Sequence, residues 1–206
     1  MISAIAALVL AASSDGAAVP SIRLGSTTVA LASGVDAEVV TTLKSPTLHP
    51  EGRPDAYTGR VVISVRIGTK AAVETDIGSL IGRDELNFFS PSVALVFADY
   101  NNDGRPDFNL GQQCGSNNFC YWLFTIEPSG AVSLMPFAGS KQVQFLWIND
   151  DVYSTHEIGV APDGISWWNY DPSEGAGVTY RSRWSAKEKA FVFLDRRVAG
   201  TDPKGP

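Results

Sequence analysis

Residues 92–110 decide the reading: Ser92-Val-Ala-Leu-Val-Phe-Ala98, then Asp99-Tyr-Asn101-Asn-Asp103-Gly-Arg105-Pro-Asp107, then Phe108-Asn-Leu110. An apolar run rich in Val and Phe enters a loop of alternating side-chain oxygens, and a second apolar stretch leaves it. That is strand, polar loop, strand. With Asp99 as position 1, Asn101, Asp103 and Asp107 follow at positions 3, 5 and 9, and the Arg105 carbonyl is available at position 7. Alternate residues of a tightly curled loop point their oxygens inward, and Gly104 stands where the chain must turn sharply. The donors are hard oxygens, three of them carboxylates, a set that suits Ca²⁺ rather than zinc or copper. Three neighbouring carboxylates repel one another until a cation neutralises them, so folding and calcium are expected to be coupled. Position 12 is Leu110 rather than the bidentate Glu of a helix-loop-helix site, and the flanks are strands. The plain alternative is a β-turn rich in Asp and Asn. Asp107, the fourth oxygen, favours the metal. Such exposed extracellular sites bind at about 10⁻⁴ to 10⁻³ M, which makes the ion structural.

The rest of the chain agrees with an all-β domain. Of 206 residues 44% are hydrophobic and 18% charged, ordinary for a globular protein. Segments 60–67, 119–126, 142–148, 165–170, 178–184 and 190–194 join 92–98 as short strands rich in Val, Ile, Phe, Tyr and Trp. Pro128-Ser-Gly130, Pro162-Asp-Gly164 and Ser173-Glu-Gly175 supply turns between them. Segment 44–58, with three prolines and no periodicity, is expected to be a long loop, and one or two helical turns are expected within 77–86. No longer helical periodicity and no internal repeat is present. Short antiparallel strands of this kind build either a propeller-like arrangement or a two-sheet sandwich, a choice the sequence leaves open.

Residues 2–12 form an apolar stretch of small and aliphatic residues, too short to span a bilayer but the length of a signal-peptide core. Small residues at Gly16 and Ala18 offer a cleavage site, so 1–18 is expected to be a signal peptide and 19–198 one domain. No Lys or Arg precedes the apolar stretch, and a buried N-terminal element is the alternative. No cysteine lies near the cleavage region, so no lipid or other membrane anchor is expected. Residues 199–206 read as a disordered tail. Cys114 and Cys120 are the only cysteines, too far apart for a redox pair and without the neighbours of a zinc site. A local disulfide in an oxidising compartment, periplasmic or extracellular, is expected, contributing about 2 kcal/mol. Net charge is -6, which disfavours nucleic acid and anionic membranes and favours a basic partner.

The strand, DxNxDGxxD and strand pattern resembles the calcium loops of FG-GAP and VCBS-type repeats. Followed by Gly111-Gln-Gln-Cys-Gly-Ser-Asn-Asn-Phe-Cys-Tyr121-Trp-Leu-Phe, it is also similar to a family of periplasmic calcium-loop β-proteins. Members of that family act as immunity proteins against lysozyme-like peptidoglycan hydrolases, with an architecture likened to PliI-type lysozyme inhibitors. The resemblance covers roughly residues 92–130. It implies calcium ligands at Asp99, Asn101, Asp103, Arg105 and Asp107, and an inhibitory loop carrying Gly115, Ser116 and Tyr121, although the order here is Gly-Ser where such inhibitors carry Ser-Gly. It implies a basic peptidoglycan hydrolase as protein partner, toward which an acidic protein would be steered.

Enzymatic activity is not expected. His49 precedes a proline, His156 lies in STHEIGV, and no GxSxG, HExxH, Walker or dinucleotide glycine pattern occurs. Asp150, Asp151, Glu157 and Asp163 lie near Trp147, Trp167 and Trp168 in sequence, which does not establish the separation a glycosidase requires. The rival to inhibition is a calcium-dependent glycan-binding or adhesion module, using Trp167-Trp168-Asn-Tyr170 as a stacking surface. Adjacent Trp167 and Trp168 on a strand must face opposite sides, so one is expected to be inside. The two binding hypotheses differ in where exposed aromatics lie: beside the cysteine loop for an inhibitor, in a separate groove for a glycan binder.

Overall fold

The segment FCYWLFTI is apolar at nearly every position, and in a computed structural model it is a strand, Phe119–Ile126, with every residue buried. A strand apolar on both faces needs cover on both, and this one is the centre of the molecule. The structure describes residues 20–31, 33–48, 56–88, 92–114, 118–139 and 145–199. The expected signal peptide, His49, Gly115, Ser116 and the tail beyond Ala199 lie outside the described residues.

Fourteen strands and one short helix occur among the described residues, in three antiparallel sheets that do not close into a barrel. The first sheet runs β1 (Ser21–Ala30), β2 (Asp36–Leu48), β3 (Tyr57–Ile67), β4 (Val73–Asp76), with β5 (Leu86–Phe88) also on β3. Helix α1 (Ile77–Ile81) lies between β4 and β5, capped by the Asp76 side chain and ended by Gly82 at φ 69°. The second sheet orders β10 (Leu146–Ile148), β8 (Phe119–Ile126), β7 (Asp107–Gln113) and β6 (Phe97–Ala98), with β9 (Val132–Leu134) on β8. The third is a meander of β11 (Gly159–Ala161), β12 (Gly164–Asp171), β13 (Ala176–Ser185) and β14 (Ala190–Val198). No described helix is long and apolar enough to cross a membrane.

One buried cluster runs from Leu24 through β3 and β8 to Phe191, so all three sheets share a core. Full burial of each large apolar side chain contributes about 1.5–3 kcal/mol. Polar contacts tie the sheets: Asn87 N donates to Gln112 Oε1 at 2.7 Å, and Val132 N to Thr75 Oγ1 at 3.0 Å. The Arg83 guanidinium lies 5.1 Å from the Trp122 ring centre. The third sheet joins through Phe137, which bridges Phe191, with Phe191 N donating to Pro136 O and Ala138 N to Phe191 O, both at 2.7 Å.

Two expectations need correction. Segment 44–58 is not one long loop: β2 continues to Leu48 and β3 begins at Tyr57, with Leu48 opposite Tyr57. Pro46 is tolerated because the register breaks between Lys44 and Thr47, where no ladder hydrogen bond is lost. Segment 92–98 is a strand only at Phe97–Ala98. Val93 N bonds to Leu24 O and Val96 N to Ser154 Oγ, each at 2.8 Å, so these amides serve two separate partners instead of one ladder.

Candidate functional site

The loop from Asp99 to Asp107 joins β6 to β7 as the sequence predicts. Its oxygens curl the backbone. Asp99 accepts from Asp103 N at 2.9 Å and Gly104 N at 2.8 Å, and Asn101 Oδ1 accepts from Asp103 N at 3.0 Å. Asn102 at φ 57° and Gly104 at φ 79° are the two left-handed positions that make the curl, residue types that tolerate it. Asp103 receives the Arg105 backbone N–H at 2.9 Å, the Arg105 Nη2 at 2.6 Å and Asn101 Nδ2 at 3.0 Å. Partial burial pushes its carboxyl pKa up, but those bonds outweigh it and hold the carboxyl below the usual range.

Asp107, at the start of β7, is fully buried. Its Oδ2 accepts from Tyr100 N at 3.0 Å, while Oδ1 is buried without a full hydrogen bond, as is the hydroxyl of Thr125, its direct neighbour on β8. Burial above all pushes its pKa up to about 7; Thr125, opposite it on β8, works against that shift, and the Asp103 charge adds to it. An orphan carboxylate oxygen behind a loop of hard oxygen donors is the feature that fits a divalent cation. Yet the donors are not gathered: no three of His, Cys, Asp or Glu among the described residues stand close enough together to hold a metal. Arg105 supplies the positive charge at Asp103 instead.

Of the residues expected in the inhibitory loop, only Tyr121 is described. It is 0% exposed, its ring 6.0 Å from that of Phe119, and its hydroxyl donates to Val152 O. Placed so, it fills the core and offers nothing to a cleft. Cys114 and Cys120 are joined, as expected.

The exposed aromatics lie elsewhere. The inner face of the third sheet and the edge of the second leave a cleft of about 390 Å³ between them. Trp167 and Tyr180 are directly opposed on β12 and β13, rings 5.5 Å apart and 14° from parallel, and form its wall. Phe137, Phe145, Trp147 and Phe193 complete the lining, with Trp147 49% and Phe193 53% exposed at the rim. Two buried polar side chains belong to it as well, Asn169 and Ser182, and Asn169 Oδ1 and Ser182 Oγ have no hydrogen-bond partner. Trp168 points to the opposite face and is exposed, as the alternation expected.

Trp147 and Trp167 were legible as aromatics. Tyr180, Asn169 and Ser182 were missed because the cleft comes from strand register, to which no local pattern points. Among the residues weighed for catalysis, His156, Asp151, Glu157 and Asp163 are exposed, and Asp163 is paired with Arg181. Compared with protein-family models, curated proteins and solved structures, the chain matches none.

Proposed function

We propose that this chain is an exported calcium-binding β-protein that acts by holding a partner rather than by catalysis. The observation that carries the calcium reading is Asp107, a buried carboxylate with one oxygen unpartnered at the end of a loop of Asp and Asn oxygens. A cation accepted from Asp99, Asn101, Asp103, the Arg105 carbonyl and Asp107 would relieve that oxygen and release Arg105 from Asp103. The Cys114–Cys120 disulfide is compatible with an oxidising compartment, periplasmic or extracellular. Of the two partners considered, a glycan is better supported than a peptidoglycan hydrolase. Tyr121 is inside the core, and the exposed Trp147 and Phe193 rim a separate cleft. Inhibition of a basic hydrolase would have to use residues other than Tyr121.

Thermal unfolding in EDTA, CaCl₂ and MgCl₂ tests the calcium reading. A rise of several degrees specific to calcium, lost in Asp103→Ala, is expected. Equal melting temperatures in all three solutions would reduce the loop to a polar turn.

A further inference from the structure

We infer that the cleft between the second and third sheets is a binding site for a neutral oligosaccharide segment at least two rings long. The inference deepens the binding reading above and does not depend on calcium. The stacked Trp167–Tyr180 pair is an apolar platform on the cleft wall, and the C–H face of a pyranose packs against the aromatic surface it leaves open. A ligand that offered only an apolar face would leave Asn169 Oδ1 and Ser182 Oγ buried and unbonded, each at a desolvation cost. The ligand must therefore bring hydrogen-bond donors as well as an apolar face, as a sugar ring does.

Length follows from register. Trp167 pairs with Tyr180, while Asn169 pairs with Val178 and Ser182 with Ile165, so the two polar anchors stand at opposite ends of the platform. Four residues of strand separate Ile165 from Asn169, roughly 13 Å at the rise of a β-strand. One planar ring, whether a sugar or a heterocycle, does not reach both. Charge sets the class: no Asp, Glu, Lys, Arg or His lines the cleft among the described residues, so a uronate or an amine would find no ionic partner on them. The volume lies in the ordinary range for ligand sites, and the half-exposed Trp147 and Phe193 leave room for the chain to continue outward. The β-bulge that breaks the β13–β14 register between Arg181 and Ser182 is the kind of irregularity that re-aims side chains beside binding sites.

The test is titration of the purified chain with cello-, chito-, malto- and mannotetraose, followed by calorimetry and tryptophan fluorescence, in CaCl₂ and in EDTA. Tetragalacturonate and indole serve as the charged and planar controls. The expected result is saturable binding of at least one neutral tetrasaccharide, weakened about tenfold in Trp147→Ala and in Ser182→Ala, with melting temperatures near wild type. Failure of all four neutral sugars in the millimolar range, binding of indole or tetragalacturonate instead, or sugar binding indifferent to both substitutions overturns it. Sugar binding unchanged between CaCl₂ and EDTA, with no calcium effect on melting, would sink the metal reading and support the cleft alone.

Discussion

The ring of Tyr121 lies on Gly111, its direct partner across β7 and β8, so closely that a Cβ on Gly111 would stand 2.4 Å from Tyr121 Cε1. The tyrosine is pinned at its far end by the bond to Val152 O, and the ring has no free space to retreat into. Gly111→Ala is therefore expected to cost about 1–3 kcal/mol by overpacking. Tyr121→Phe keeps the packing and loses only the hydroxyl bond, about 1 kcal/mol. Urea unfolding orders the two; an alanine at 111 as stable as wild type would show the ring to be mobile and return Tyr121 to candidacy as a surface group.

Asn109 ties the Asp99 loop to the segment after β10. Its Nδ2 donates to the Tyr100 hydroxyl at 2.7 Å and to Thr155 O at 3.0 Å, and its Oδ1 accepts from Thr155 N at 2.8 Å. All three residues are buried, so their polar atoms have no ready access to solvent water. Asn109→Ala leaves two backbone groups and a hydroxyl unpaired, and a loss of about 3 kcal/mol or more is expected. Asn109→Asp keeps the acceptor but loses both donated bonds and is expected to be similarly damaging at neutral pH. Chemical unfolding midpoints near wild type for both would mean that water replaces the side chain.

Asp107 makes stability depend on pH in the direction opposite to a salt-bridged carboxylate. Its folded pKa, about 7, lies above the ordinary 3.8. Between those values the folded chain holds a proton that the unfolded chain has released, so stability falls as pH rises from about 4 to 7 and levels off above. The penalty reaches at most about 4 kcal/mol. In EDTA the melting temperature is expected to drop across that window, and Asp107→Asn to flatten this part of the profile. If calcium binds the ionised carboxylate, the gap between CaCl₂ and EDTA curves widens over the same interval. A wild-type profile in EDTA matching that of Asp107→Asn would mean that the carboxyl is not buried in solution.

How much of this was readable in advance depended on how local its cause was. Strand β8 is apolar at every position but one and is legible with its bounds intact, and the loop from Asp99 is legible residue by residue because the hydrogen bonds that curl it run between residues at most seven apart. Strand β1, an edge strand that buries only Leu24, carries almost no apolar pattern and was missed. Strand β2 was missed as well, because Thr41 occupies a buried position between Val39 and Leu43 and breaks the apolar alternation. The cleft was illegible for a different reason. Trp167 meets Tyr180 only because β12 and β13 pair as they do, and Phe137 reaches them through its bridge to Phe191. The β12–β13 hairpin is local, but nothing in a short window of sequence brings Phe137 and Trp147 against it.

Asn102 connects the loop to the third sheet, a contact through which a cation bound at the loop would act on the strands that lead to the cleft. Its Nδ2 donates to Ala161 O at 3.2 Å, on the strand that leads through Pro162-Asp163-Gly164 into β12, which carries Trp167 and Asn169. A cation that stiffens the loop would hold this contact in place and slow opening of the β11–β12 turn. Asn102→Gly keeps the left-handed backbone at φ 57° without strain and removes only the side-chain bond. Deuterium uptake at residues 159–164 is expected to slow in calcium for the wild type and to become independent of calcium in Asn102→Gly, while the calcium-dependent rise in melting temperature persists in both. Slowing that survives in the glycine variant would mean that the loop acts through β7 and the shared core instead.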